Sequence, residues 1–266
     1  MSDSRVFINT QRPNLTRNGA WLVRPRPNPR ARARLFCFPY SGASASLFHA
    51  WPRILPDSIE VCPVELPGRG ARLAEPSFTR LAPLVEAAAA ALRPHMDMPF
   101  AFFGHSMGAL LSFELARYLR RKYSLQVAHL LVSGHEAPQI PITEPPIHDL
   151  PEAEFVQKLR EFNGTPDAIL EHPELRAILL PILRADFAVC ETYVYESAEP
   201  LDCPLTALGG LRDPYVTQEA LQKWREQTRG PFSLHMFPGD HFYLQSDQQL
   251  LLETIARKLM QQGILE

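Results

Sequence analysis

No stretch of this chain approaches the roughly 20 consecutive apolar residues of a membrane span, so no transmembrane segment is expected. The first residues, Met-Ser-Asp-Ser-Arg, are polar and lack the apolar core of a secretion signal. The formal net charge is only -2, which gives no general case for a nucleic-acid or anionic-membrane partner. Cysteine is scarce, and Cys37, Cys62, Cys190 and Cys203 lie far apart with no Cys-x-x-Cys pair. That spacing points to neither zinc nor a redox pair, and free thiols in a reducing, cytoplasmic setting are expected. Glycine is modest at 13 against 26 prolines, together well short of a low-complexity composition. There is no internal repeat. The two glycosylation sequons, Asn14-Leu-Thr16 and Asn163-Gly-Thr165, carry no weight without a secretion signal.

What is present is organised around Phe100-Ala-Phe-Phe-Gly104-His105-Ser106-Met107-Gly108. Four apolar residues predict a buried strand, and the helix-like run Ala109 to Lys122 follows. A Gly-x-Ser-x-Gly between strand and helix is the signature of a nucleophile elbow, in which a strained turn lifts the serine hydroxyl above a sheet. Gly104 and Gly108 are expected because a Cβ at either would crowd the bend or the neighbouring strand. The helix N-terminus beneath Ser106 presents free N–H groups suited to an oxyanion, the Met107 amide first among them.

Taken in order, residues 1–33 predict an extended arm, because Arg24-Pro-Arg-Pro-Asn-Pro-Arg30 alternates proline. Its arginines, with Arg32 and Arg34, are read as a solvated basic cluster, with contact to an acidic partner protein as the sharper alternative. Leu35–Phe38 predicts a central parallel strand, ending in the small-residue loop Pro39–Ser44. Such a loop supplies a second oxyanion donor in hydrolases built this way, here the backbone N–H of Ser41 or Tyr40. An ordinary strand-to-helix turn explains the same residues. Leu47 to Leu55 predicts a helix, Ile59 to Val64 a strand, Thr79 to Met96 a helix and Val127 to Ser133 a strand. The alternation predicts an α/β fold, a mainly parallel sheet flanked by helices. No strand is expected between Ser133 and Leu205. Helices over Pro151–Phe162 and Pro173–Tyr193, the second with a stripe of Leu175, Ile178, Leu179, Ile182, Leu183 and Phe187, predict a helical lid insertion over 137–200. A hydrolase core over 34–136 and 201–266 surrounds it. Strands at 203–208 and 232–237 and a closing helix over 247–262 complete the chain.

Ser106, Asp213 and His241 follow the Ser…Asp…His order of the α/β-hydrolase fold, each just past a predicted strand. Serine needs a base to take its proton, and the base needs a carboxylate to orient it. Asp240 adjoins His241 too closely to reach its far nitrogen, Asp202 precedes its strand, and His105 points away from its neighbour. His135, also at a strand end, is the alternative base, though it breaks the chain order.

Six stretches together resemble type II thioesterases, the stand-alone editing hydrolases of polyketide and nonribosomal peptide synthesis. They are Phe38–Ser44, Leu66-Pro-Gly-Arg-Gly-Ala-Arg72, Gly104-His-Ser-Met-Gly-Ala109, Leu183-Arg-Ala-Asp186, Gly209-Gly-Leu-Arg-Asp213 and Gly239-Asp-His-Phe242. The Leu-Pro-Gly-Arg-Gly loop and Leu-Arg-Ala-Asp are the more specific of them. The resemblance implies hydrolysis of acyl groups from the phosphopantetheine arm of an acyl or peptidyl carrier protein, with no cofactor of the enzyme's own; nothing in the sequence requires more than a monomer. Two departures stand out: Tyr40-Ser-Gly-Ala43 replaces the usual His-Ala-Gly-Gly, and His135-Glu136 replaces a frequent Arg-Arg. A small-molecule carboxylesterase of the same fold and a non-catalytic binding module are the rival readings.

Overall fold

The computed structural model describes residues 20–261, 263 and 264. Residues 1–19 of the expected arm, with the Asn14 sequon, and Gln262 at the expected helix end lie outside the described residues. Six strands form one sheet: β1 (Ala33–Phe38), β2 (Ile59–Pro63), β3 (Phe100–His105), β4 (His129–Ser133), β5 (Leu205–Gly210) and β6 (Phe232–Phe237). Every pairing is parallel, in the order β2-β1-β3-β4-β5-β6. The α/β expectation is met, and the sheet is parallel throughout.

The parallel pairing goes with burial on both faces. β2, β3, β4 and β5 are buried at every position, which suits continuous apolar runs covered by helices on each side. On one face Phe36, Phe38 and Phe102 pack against α1 (Leu81–Leu92) and α2 (Met107–Tyr123). On the other, Leu35, Ala101, Phe103 and Leu131 meet Phe48, Trp51 and the Leu251, Ile255 and Leu259 edge of the closing helix Gln248–Gln261. Burying one such aromatic or aliphatic side chain contributes about 1.5–3 kcal/mol. The chain reverses its direction across the sheet between β1 and β3, and at that switch point a crevice opens beyond the strand C-termini.

Between β4 and β5 lie α3 (Glu152–Phe162), α4 (Asp167–Glu171) and α5 (Pro173–Glu191). Phe155, Val156, Leu159, Leu170, Leu180 and Leu183 give them a small core of their own. The short helices α6 (Gln218–Gln222) and α7 (Tyr243–Ser246) precede the closing helix, α8.

Three expectations need correction. Leu47–Leu55 is not an α-helix but two 3-10 turns, Ala45–Phe48 and Trp51–Arg53. Pro52 lacks the N–H that an α-helix would need there. The α5 stripe is displaced: Leu175 and Ile178 are exposed, while Leu180, outside the predicted stripe, is buried. Residues 20–33 are extended with Arg26, Arg30 and Arg32 exposed, as expected, but the segment is docked rather than a free arm. Leu22 bridges Val64, Val23 N–H donates to the Pro63 carbonyl, and Arg24 and Arg34 both pair with Glu60, which is 1% exposed. The segment covers the edge of β2, which would otherwise present unpaired backbone groups.

Candidate active site

Ser106 is the first site residue the fold positions. It links β3 to α2 with φ 52° and ψ -121°, a conformation that L-residues rarely adopt. The surrounding contacts hold it there. A Cβ on Gly104 would sit 2.0 Å from the Gly108 carbonyl oxygen, and one on Gly108 would sit 2.2 Å from that of Phe38. Both glycines therefore let the start of α2 lie directly against the ends of β3 and β1.

Asp213 and His241 arrive on the loops after β5 and β6. Leu211 N–H donates to the Phe237 carbonyl and Arg212 N–H to that of Gly239, which ties the two loops together. A Cβ on Gly210 would meet the Asp240 carbonyl at 2.3 Å, so this approach too requires glycine. His241 Nδ1 lies 2.7 Å from Asp213 Oδ2. Asp213 Oδ1 accepts N–H bonds from Tyr215 and Val216, and the carboxylate is fully buried. This arrangement fixes the imidazole so that its other nitrogen is free for proton transfer.

Ser106, His241, Tyr40 and Ser41 line one cavity of about 450 Å³. Its far wall comes from α3, α5 and the 137–144 segment, including Leu159, Phe162, Leu183, Phe187 and Ile142. No hydrogen bond joins Ser106 to His241 among the described residues. Such bonds in free enzymes are often long and tighten on substrate binding.

Among the described residues the amides of Tyr40 and Ser41 have no hydrogen-bond partner, whereas the next ones along the loop are engaged. Gly42 N–H donates to Asp186, Ala43 N–H to the Tyr40 carbonyl and Ala45 N–H to Glu65. Met107 opens α2 with its amide at the free helix N-terminus. The rival residues separate from this group. His135 also borders the cavity, but its Nδ1 faces the carbonyl of Glu136 at 2.7 Å and burial lowers its basicity. Asp240 accepts the Phe242 N–H and shapes the turn. Asp202 pairs with Arg120 and Arg229 away from the cavity.

Some neighbours of this site are not evident from sequence. His105 is fully buried beneath His241, with ring centroids 5.1 Å apart, and its Nδ1 meets Ser133 Oγ at 2.8 Å. Ser133 in turn meets the Tyr243 hydroxyl. Burial, followed by the nearby His241, pushes the His105 pKa well down, so it stays neutral. Arg69 and Asp186, from the two most specific of the six motifs, form a buried ion pair.

A serine held in a strained strand-to-helix turn over a six-stranded parallel sheet, with a His–Asp pair on later loops, defines the α/β-hydrolase class. Residues 33–261 match the Thioesterase domain family, and the chain belongs to it. Gramicidin S biosynthesis protein GrsT of Aneurinibacillus migulanus is 48% identical over 90% of this chain and 93% of its own length. Linear gramicidin dehydrogenase LgrE of Brevibacillus parabrevis is 48% identical over 90% of this chain and 92% of its own. Among solved structures, the type II thioesterase BorB of the borrelidin biosynthetic cluster superposes with TM-score 0.82 at 37% identity, covering 92% of this chain and 98% of BorB. Among the described residues, no helix is long and apolar enough to cross a membrane.

Proposed function

We propose that this chain is a serine thioesterase that clears acyl groups from the phosphopantetheine arm of acyl or peptidyl carrier proteins in nonribosomal peptide or polyketide synthesis. The observation that carries the reading is Ser106 in its strained elbow sharing a cavity with His241, which Asp213 orients through a 2.7 Å bond. Family membership and the pathway proteins it resembles support this substrate class. A cavity of this size walled by Leu159, Phe162 and Phe187 suits an acyl chain, and the helices that wall it act as a lid. No cofactor of the enzyme's own enters the chemistry.

Ser106 Oγ attacks the thioester carbonyl while His241 takes its proton. The tetrahedral oxyanion is met by the amides of Met107 and Ser41, with Tyr40 as the alternative donor. The adduct collapses, the C–S bond breaks, and His241 returns its proton to the departing pantetheine sulfur. Water then attacks the acyl-enzyme as His241 takes its proton, and the ester C–O bond breaks as His241 passes that proton to Ser106 Oγ, releasing the acid and restoring the enzyme. Asp213 stabilises the imidazolium in both halves.

One relative bears the name dehydrogenase, and Rossmann-type dehydrogenases bind their dinucleotide at a Gly-x-Gly-x-x-Gly turn after the first strand. Here β1 is followed instead by Pro39-Tyr-Ser-Gly-Ala-Ser44. The test is hydrolysis of acetyl or propionyl carrier protein beside the matching nitrophenyl ester, with Ser106→Ala as control. Expected is a kcat/KM for the carrier far above that for the ester, and loss of both in the variant. Equal or better turnover of the free ester would make the protein a general esterase. Residual turnover by Ser106→Ala would remove the nucleophile assignment.

A further inference from the structure

The two motifs that chemistry leaves unused, Leu66-Pro-Gly-Arg69-Gly and Leu183-Arg-Ala-Asp186, meet each other directly. Arg69 Nη1 lies 2.6 Å from Asp186 Oδ2 and Arg69 Nη2 lies 2.7 Å from Asp186 Oδ1. The pair is buried, with Arg69 4% and Asp186 2% exposed. Such a pair adds little net stability over an apolar replacement of similar volume, so stability alone is a weak reason to keep it. Asp186 has a third partner. Its Oδ2 also accepts the Gly42 N–H at 2.7 Å, while Arg69 Nη1 donates to the Ala43 carbonyl at 3.3 Å. The loop that carries the free Ser41 amide is thus gripped one peptide downstream of it.

The grip continues at Leu183, almost one turn earlier on α5. Gly42 has φ +81°, and a Cβ there would meet Leu183 Cδ2 at 2.6 Å. Helix α5 therefore presses on Gly42 through two side chains, one apolar and one charged. Leu183 also lines the cavity with Ser106. The cavity wall and the loop bearing the candidate oxyanion donor are held as one body.

We infer that Asp186 is a positioning residue, holding the Ser41–Gly42 peptide so that the Ser41 N–H faces the developing oxyanion and tying that donor to helix α5. The inference rests on the hydrolase reading. It predicts that displacement of α5 from the loop disables the oxyanion site as well as opening the cavity. A substrate that leaves α5 seated is turned over, and one that wedges α5 outward meets a loop with one donor fewer.

The test compares Arg69→Met/Asp186→Leu with Arg69→Lys. The double variant removes both buried charges at similar volume and so avoids a stranded ion, but it leaves Gly42 N–H without its acceptor. The lysine variant keeps Asp186 charged and bonded to Gly42. Expected for the double variant is a kcat lower by about 10²–10³-fold, the effect of losing one oxyanion donor, with KM within about threefold. Its affinity for an acyl trifluoromethyl ketone, whose adduct with Ser106 carries the oxyanion, falls in parallel. Arg69→Lys retains most of kcat. Turnover is read on both the carrier thioester and a nitrophenyl ester, so an error in the carrier assignment appears in the wild type and leaves the comparison intact. A double variant with normal kcat, or one whose loss lies in KM or thermal stability alone, would reduce Asp186 to a structural tie.

Discussion

Gly108→Ala separates what the elbow does for the fold from what it does for the reaction. A Cβ at this position meets the Phe38 carbonyl oxygen at 2.2 Å, the Phe38 carbonyl carbon at 2.6 Å and the Pro39 carbonyl oxygen at 2.7 Å. All three are main-chain atoms, so no rotamer change relieves the contact. To reach 3.0 Å, the shortest separation real Cβ atoms show, the start of α2 and the end of β1 must part by about 0.8 Å. The stability cost is overpacking of about 1–3 kcal/mol, offset by about 1 kcal/mol from replacing a helical glycine. A net loss of about 0–2 kcal/mol corresponds to a Tm decrease of no more than about 8 °C, and the protein stays folded at 25 °C.

The same shift separates the Met107 amide, on α2, from the Ser41 amide, three residues past Phe38. A misplacement near 1 Å at a reacting centre costs about 100-fold, or about 2.7 kcal/mol of transition-state stabilisation. Circular-dichroism melting and steady-state hydrolysis of a propionyl carrier protein read the two effects apart. A kcat/KM within threefold of wild type at an unchanged or higher Tm would refute the reasoning, because the backbone would then have absorbed the methyl group without moving the donors.

Two further outcomes follow from other parts of the molecule. His129 on β4 is 1% exposed with its Nε2 2.9 Å from Thr206 Oγ1, and burial, aided by Lys258, lowers its pKa to about 4. The unfolded chain binds this proton near pH 6.5 and the folded one only near pH 4. The resulting stability, about 3 kcal/mol, is therefore complete above pH 6.5 and is lost as pH falls to about 4. His129→Gln should flatten that dependence in urea unfolding at pH 7 and 4.5, and an unchanged slope would refute it. Tyr193 stands between the main cavity and a second one of about 270 Å³ bordered by Arg80, Arg117 and Arg121, its hydroxyl donating to Glu114 at 2.7 Å. Tyr193→Ala should join the two spaces and raise kcat/KM several-fold for long acyl chains relative to acetyl, while Tyr193→Phe keeps the wild-type ratio. A chain-length profile that is the same in all three proteins would show that the wall lies elsewhere.

The parts of this protein legible from sequence are those whose cause is local. A strand of four apolar residues, two glycines and a serine specify an elbow, because the steric demand on Gly104 and Gly108 arises within a few residues of the turn and against the adjacent strand. The order Ser106, Asp213, His241 is visible because each residue follows a recognisable strand, and strand ends gather at one edge of a parallel sheet. The misreadings have non-local causes. Arg24 and Arg34 look like free charges until β2 brings Glu60 beneath them, 36 and 26 residues along the chain. The α5 stripe slips because Leu180 faces α3 and α4 in the small helical core, a partner that periodicity alone does not name.

Asp186 is the most instructive case. It stands among Leu183, Ala185, Ala188 and Val189 on the buried side of α5, where an unpaired carboxylate would be prohibitively costly. Burial of a carboxylate on an apolar helix face therefore demands a cation and further N–H donors from elsewhere in the fold. Arg69, between two glycines in a loop at a strand end, is such a cation, but a separation of 117 positions leaves the pairing open until the sheet is assembled. What the sheet then shows is that the same carboxylate also holds the Gly42 amide. One buried acid thereby joins three segments, and the resemblance had marked each of them without a physical reason for their co-occurrence. The reason is geometric: Phe38–Ser44 offers the Gly42 N–H, Leu66–Arg72 supplies the cation, and Leu183–Asp186 fixes both against the wall of the cavity.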